Sequence, residues 1–300
     1  MTKGLRQLFL GAACLGFAPI FVKLVDLGPT PIGAYRCAIA AILLGLFAVW
    51  EKPEKNAVSI SPKLWLYIAL AGFLFAVDLF VWHRSVVFAG AGLGTILGNT
   101  QIFYSAAAGI FFFGEKLTSR FLLSVALAFI GTYLLVSFRI APSAGDRYWE
   151  GVLYGLSTGV VYCSFMISMR QVERYSRGIS PTKRLALISA TTALSLVAVA
   201  SLENTLRWPT AMEWLWLIAL AIVAQVAGWL LISRNLLKVP VSQAGLILIT
   251  QPLVAVIVGG LVFREQLSTI QVIGAGIVLV ALYLGNTRAN ERVSPYRASN

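Results

Sequence analysis

A single carboxylate, Asp78, stands inside an apolar run of this 300-residue chain, four residues before Trp82. On a helix that spacing puts an acid and an aromatic ring on one face. Together they can hold an ammonium group through charge and ring quadrupole, and the acid alone can carry a proton. A carboxylate within a membrane span costs roughly 2.5–3.5 kcal/mol on insertion scales, so its presence calls for a partner or a task. The competing reading seats Asp78 near the outer membrane edge, in a salt bridge to Arg84 or another outer-edge cation.

Five amides form the next group: Asn99, Gln101, Gln225, Gln243 and Gln251. Gln101 and Gln251 are expected near mid-depth, where they can hydrogen-bond a zwitterionic or hydroxylated solute from two sides. The same amides can instead join helices to one another, and both readings stand for Asn99 and Gln225. Gln243 falls close to the inner edge. Phe17, Tyr104, Tyr162 and Trp229 are the aromatic residues expected to line a cavity. His83, the only histidine, reads as a solvated edge residue, and Arg36 as one that snorkels or pairs with Asp26. Pro19 and Pro252, each deep in a span, are expected to kink their helices.

Catalytic residues are not expected. A lone histidine excludes H-E-x-x-H and no P-loop is present; the G-x-S-x-G match at 155–159, GLSTG, falls inside an expected membrane span and not on the strand-to-helix turn that a nucleophile elbow needs. Cys14, Cys37 and Cys163 are scattered and odd in number, which fits neither a disulfide framework nor a metal site. The chain is therefore read as no enzyme, with no cofactor and no metal, and without its own ATP site.

The elements that must hold these residues are set by composition. Hydrophobic residues make up 58% and charged residues 12%, with a mean hydropathy of +0.82. Soluble domains carry about 25% charged residues, so this chain is built for lipid. Apolar runs long enough to cross about 30 Å of hydrocarbon recur at 8–25, 31–50, 63–84, 91–113, 119–137, 151–170, 182–202, 212–235, 243–263 and 268–285. The expectation is an all-α polytopic membrane protein of ten transmembrane helices, the first retained rather than cleaved as a signal peptide.

Charge sets orientation. With the N-terminus inside, 17 of the 24 Lys and Arg fall on the inner side, which is left with all of the net +12. The cations lie in short segments at membrane edges, so the high isoelectric point is a topology signal and no nucleic-acid partner is expected.

The segments "FFFGEKL" at 111–117 and "LVFREQL" at 261–267 place Glu115 and Glu265 at an offset of 150. The same ungapped offset pairs Arg84 with Arg234, Thr100-Gln101 with Thr250-Gln251, Gly109 with Gly259, Tyr133-Leu134 with Tyr283-Leu284, and Pro31 with Pro181. Two halves are expected, 1–145 and 146–300, each with five spans. An odd number inverts the second half relative to the first, a plan common among secondary transporters. The two glutamates then mark equivalent corners at opposite membrane faces.

The segments "PTPIGAYRCAIAAILL", "GNTQIFYSAAAGIFFFGEKLT" and "ITQPLVAVIVGGLVFREQLSTIQVIGAGIVLVALYL" resemble the drug/metabolite transporter superfamily, specifically its EamA-type members. One departure is Ile102, where the second half has Pro252. The resemblance implies two inverted five-helix repeats around a central cavity, both termini in the cytoplasm of a bacterial inner membrane, and alternating access. It also implies a small-molecule substrate exported from the cell, amino acids foremost, as in the YddG-type aromatic amino-acid exporters. Exporters of drugs, purines or sugar metabolites are the alternative, and a scaffold or channel-like subunit is the rival from another class. Oligomeric state is left open.

Overall fold

The computed structural model describes residues 3–51, 62–89, 94, 97–136, 147–176, 179–263 and 268–286. Among these residues every regular element is helical. The first half contributes α1 (Lys3–Gly16), α2 (Ala18–Lys23), α3 (Pro29–Trp50), α4 (Pro62–Ala89), α5 (Gln101–Phe113) and α6 (Ser119–Val136). The second contributes α7 (Tyr148–Tyr175), α8 (Pro181–Leu202), α9 (Ala211–Leu220) with its π-helical continuation Ala221–Gly228, α10 (Trp229–Ser233), α11 (Val241–Leu248), α12 (Thr250–Phe263) and α13 (Thr269–Asn286).

Among the described residues seven stretches are long and apolar enough to cross a membrane: Lys3–Lys23, Pro29–Trp50, Pro62–Ser85, Tyr148–Tyr175, Pro181–Leu202, Ala211–Lys238 and Val241–Gly259. Ser119–Leu134 and Thr269–Gly285 are shorter apolar helices. The fourth expected span is described as α5, and the start of that span, within 90–96, lies mostly outside the described residues. So does the corner at 264–267 that contains Glu265.

Helix breaks fall where the proline chemistry puts them. The first span breaks at Phe17, and Pro19 sits in the first turn of α2, where a missing N–H removes no helical bond. The ninth breaks at Ile249, with Pro252 in the first turn of α12. The fourth span breaks too, at Thr100, although Ile102 replaces the proline. There the Thr100 hydroxyl donates to the Leu97 carbonyl at 2.5 Å, a local bond that competes with the helical ladder.

The helices pack mainly across the two halves. α3 lies on α8, α4 on α7, α5 on α11, α6 on α13, and α1 on the π-helical segment. Exchanging helices for their counterparts 150 residues away returns α3–α8 and α6–α13 to themselves and turns α4–α7 into the pair of α1 with the π-helical segment. Contacts are close because small residues line them, as lipid-embedded packing requires. A Cβ on Gly72 would meet the Ile188 carbonyl at 2.9 Å, and one on Gly131 the Gly274 carbonyl at 2.9 Å. Thr192 adds a hydrogen bond to the Gly72 carbonyl at 2.9 Å. Large apolar side chains such as Phe111, Phe112 and Leu194 face outward, and Trp50, Trp149 and Trp208 stand exposed near helix ends, as in an interfacial aromatic belt.

The ion pairs Arg184–Glu173 and Arg234–Glu51 form at one end of the bundle, and Arg84–Glu203, Arg207–Glu213 and Arg147–Glu150 at the other. Each joins two residues expected on the same side of the membrane.

Candidate functional site

Arg36, Asp78 and Gln225 are all buried, on α3, α4 and the π-helical segment. Arg36 lies seven residues into α3, about 10 Å along its axis, on the face it shares with Ala40 and Leu44. Its Nη2 donates to Gln225 Oε1 at 3.1 Å, and Gln225 Nε2 donates to Ser189 Oγ at 3.4 Å. The expectation that Arg36 snorkels or pairs with Asp26 does not hold. The small residues Gly33, Cys37 and Ala40 put its side of α3 against the protein, and Arg207 instead bonds the Asp26 carbonyl. Those flanking small residues are the signal that marks Arg36 as inward-facing.

Asp78 does not pair with Arg84, which bonds Glu203. Its electrostatic neighbour is Arg36, which also acts on His83 and Tyr162. His83 is buried rather than solvated, and its ring lies 4.9 Å from Trp82. Trp82 is half-buried and faces Gly98.

Beside these polar groups lies a nest of rings. Phe75 stacks on Phe165 at 4.7 Å, and Trp229 meets both edge-on at 5.4 and 5.0 Å. Tyr162 adjoins Phe165 and Trp229 at 6.2 and 6.3 Å. The Arg36 guanidinium lies 5.6 Å from the Phe75 ring centre. Nothing in the sequence marks Phe75 and Phe165, because an aromatic residue in an apolar run looks the same facing lipid or facing a site.

Polar atoms here outnumber their partners. Arg36 Nε, Asp78 Oδ1, Trp229 Nε1 and His83 Nε2 are buried without a hydrogen-bond partner among the described residues. Buried polar groups are nearly always satisfied, and an uncompensated one costs about 1–3 kcal/mol, more when charged. All four lie on or beside the same cluster of polar side chains and rings.

The remaining expected residues divide. Gln251 Nε2 donates to the Tyr162 hydroxyl at 3.2 Å, next to the rings. Phe17 lies at the break between α1 and α2, where a Cβ on adjacent Gly16 would press on the Gln251 carbonyl. Gln101 is occupied as a helix joiner: it donates to the Gly245 carbonyl at 3.0 Å and accepts from Ser105 at 3.2 Å. Asn99 is half-buried just before the Thr100 break. Tyr104 points elsewhere, onto an outer groove of about 300 Å³ lined also by Phe111, Phe112 and Val160.

Between the cluster and one end of the bundle the chain is clasped shut. Gly114, with φ of 63°, ends α5 in a left-handed turn, and Glu115 N donates back to the Gly109 carbonyl at 2.8 Å. The turned Glu115 carboxylate accepts from Val241 N at 2.6 Å, Ser242 N at 3.2 Å and Ser242 Oγ at 2.5 Å. It thereby caps α11 of the other half, where free N–H groups and the helix dipole favour an anion. Arg170 closes the same end by donating to the Leu236 and Val239 carbonyls, each at 2.7 Å. The void left beneath, about 10 Å³ beside Ser105, Arg170 and Gly245, has room for about one water.

Two segments of the sequence, 2–137 and 149–287, each match the profile of the EamA-like transporter family. No curated protein matches the chain. A solved crystal structure, titled only "Crystal structure of protein", superposes with a TM-score of 0.80 at 15% identity, covering 97% of this chain and 99% of that one. At that identity the likeness concerns the fold.

Proposed function

This chain belongs to the EamA-like transporter family, membrane transporters of small solutes, and from that premise we propose that it exports amino acids by alternating access. The observation that carries the reading is the cluster of buried Asp78, Gln225 and Trp229 with half-buried Tyr162, set between helices of both halves. Asp78 attracts the ammonium group, the rings of Phe75, Phe165 and Trp229 receive an apolar or aromatic side chain, and the amides complete the polar contacts. The ring nest favours aromatic amino acids, in keeping with the resemblance to YddG-type exporters.

The proposal includes the architecture that the cycle needs. Ten spans form two halves, 1–145 and 146–300, inserted in opposite orientations in a bacterial cytoplasmic membrane with both termini inside. The Glu115 and Arg170 clasp then closes the cytoplasmic end, and rocking of one half against the other opens it. The pairing of helices across the halves supports this, because each such pair is a surface along which the halves can shift.

Counterflow in proteoliposomes tests the reading, with a panel of labelled amino acids, sugars and quaternary amines. Saturable exchange of an amino acid that Asp78→Asn lowers at least about tenfold, as expected for loss of a buried charge partner, supports it. Exchange confined to sugars or quaternary amines moves the substrate class. No exchange by folded protein favours the scaffold reading.

A further inference from the structure

The cluster around Asp78 holds a second charge that the ammonium reading leaves without a task. Arg36 is a guanidinium with five N–H donors in a fixed fork, more than nine-tenths buried, and it donates to a neutral amide oxygen on Gln225. Its Nε is orphaned, and so is the indole N–H of Trp229, across the Phe75 ring. Asp78, the acid whose charge acts with that of Arg36, shares no hydrogen bond with it among the described residues, and its Oδ1 is orphaned as well. An internal ion pair would have satisfied both groups. The chain instead keeps a guanidinium and a carboxyl group apart within one buried cluster.

We propose that Arg36 is the receptor for the substrate's carboxylate, with the Trp229 N–H as its second donor, and that the transported species must be a zwitterion spanning Arg36 and Asp78. This deepens the amino-acid reading above and rests on it. An α-amino acid carries its carboxylate and ammonium on one carbon, so a single small molecule satisfies both orphaned charges. Its side chain then faces Phe75, Phe165 and Trp229. A bare amine would leave Arg36 uncompensated, and a bare acid would leave Asp78 so. Both are excluded by the cost of a buried unpaired charge rather than by size. A guanidinium suits a carboxylate because two parallel N–H groups match its two oxygens.

The test compares three probes of one skeleton in proteoliposome counterflow: phenylalanine, phenethylamine without the carboxylate, and 3-phenylpropionate without the ammonium. Wild-type protein is expected to exchange phenylalanine at least about tenfold better than either fragment, the range for losing one buried charge partner. Arg36→Gln is expected to lower phenylalanine exchange by a similar factor while leaving phenethylamine exchange unchanged or raised, a shift in selectivity that a merely structural role does not produce. Arg36→Lys keeps charge but loses the fork and is expected in between. Wild-type exchange of phenethylamine equal to that of phenylalanine overturns the role of Arg36 and leaves a transporter of amines standing. Absence of phenylalanine exchange by protein that unfolds cooperatively removes the aromatic amino-acid reading and this inference with it. The wild-type comparison decides the matter even if the Arg36 variants fail to fold.

Discussion

At the corner after α5 the Glu115 carboxylate accepts from two backbone N–H groups and a hydroxyl of the opposite half. Within α4 the Asp78 carboxylate keeps an orphaned oxygen beside an arginine it does not bond among the described residues. Both acids lie in an apolar chain, and they are handled in opposite ways. A satisfied carboxylate fixes geometry, since removing it strands the donors aimed at it. An unsatisfied one stores a cost that a bound group can relieve. The same contrast separates Gln101, whose amide is engaged by Gly245 and Ser105, from Trp229, whose N–H has no partner among the described residues.

The contrast breaks most visibly at Glu115. Glu115→Ala strands three donors at the start of α11, and charge-assisted bonds contribute roughly 1.5–3 kcal/mol each. A loss of about 3 kcal/mol or more is expected, read as a lower unfolding midpoint in detergent and a poor yield of folded protein. Asp78→Asn is expected to do the reverse: substrate exchange falls at least about tenfold, while the unfolding midpoint holds or rises, because a buried uncompensated charge has been removed. A fall in stability matching that of Glu115→Ala would place Asp78 among the structural acids.

A smaller effect is expected from Gln225→Leu. It deprives Arg36 of its amide acceptor and lowers stability by about 1–3 kcal/mol, a deficit that saturating substrate partly restores if Arg36 binds the substrate. Thermal unfolding with and without phenylalanine checks this. Smallest is Gln101→Leu, which removes an interhelical amide bond. In membranes such bonds average about 0.6 kcal/mol, so a slight drop in midpoint with unchanged substrate selectivity is expected in the counterflow assay. A change of selectivity would return Gln101 to the solute site.

Much of the architecture is written locally and was therefore legible in the sequence. Apolar runs mark the membrane-crossing stretches, because lipid leaves a helix no other way to satisfy its backbone. The 150-residue offset reappears as α6 at Ser119–Val136 and α13 at Thr269–Asn286. Prolines 19 and 252 mark two helix breaks, and the ion pairs at each end of the bundle join residues that the charge pattern had put together. Tertiary structure alone decided which polar residues would be satisfied. Hydropathy records that Arg36, Asp78, His83 and Gln101 lie within or beside apolar runs, but not what stands opposite each. Arg36 finds Gln225 at a separation of 189 residues and Gln101 finds Gly245 at 144. Glu115 reads as a repeat corner in the chain and becomes the cap of another half's helix only when α5 and α11 meet. In lipid the fate of a polar side chain depends on its one facing neighbour, and that neighbour is set by packing across the two halves.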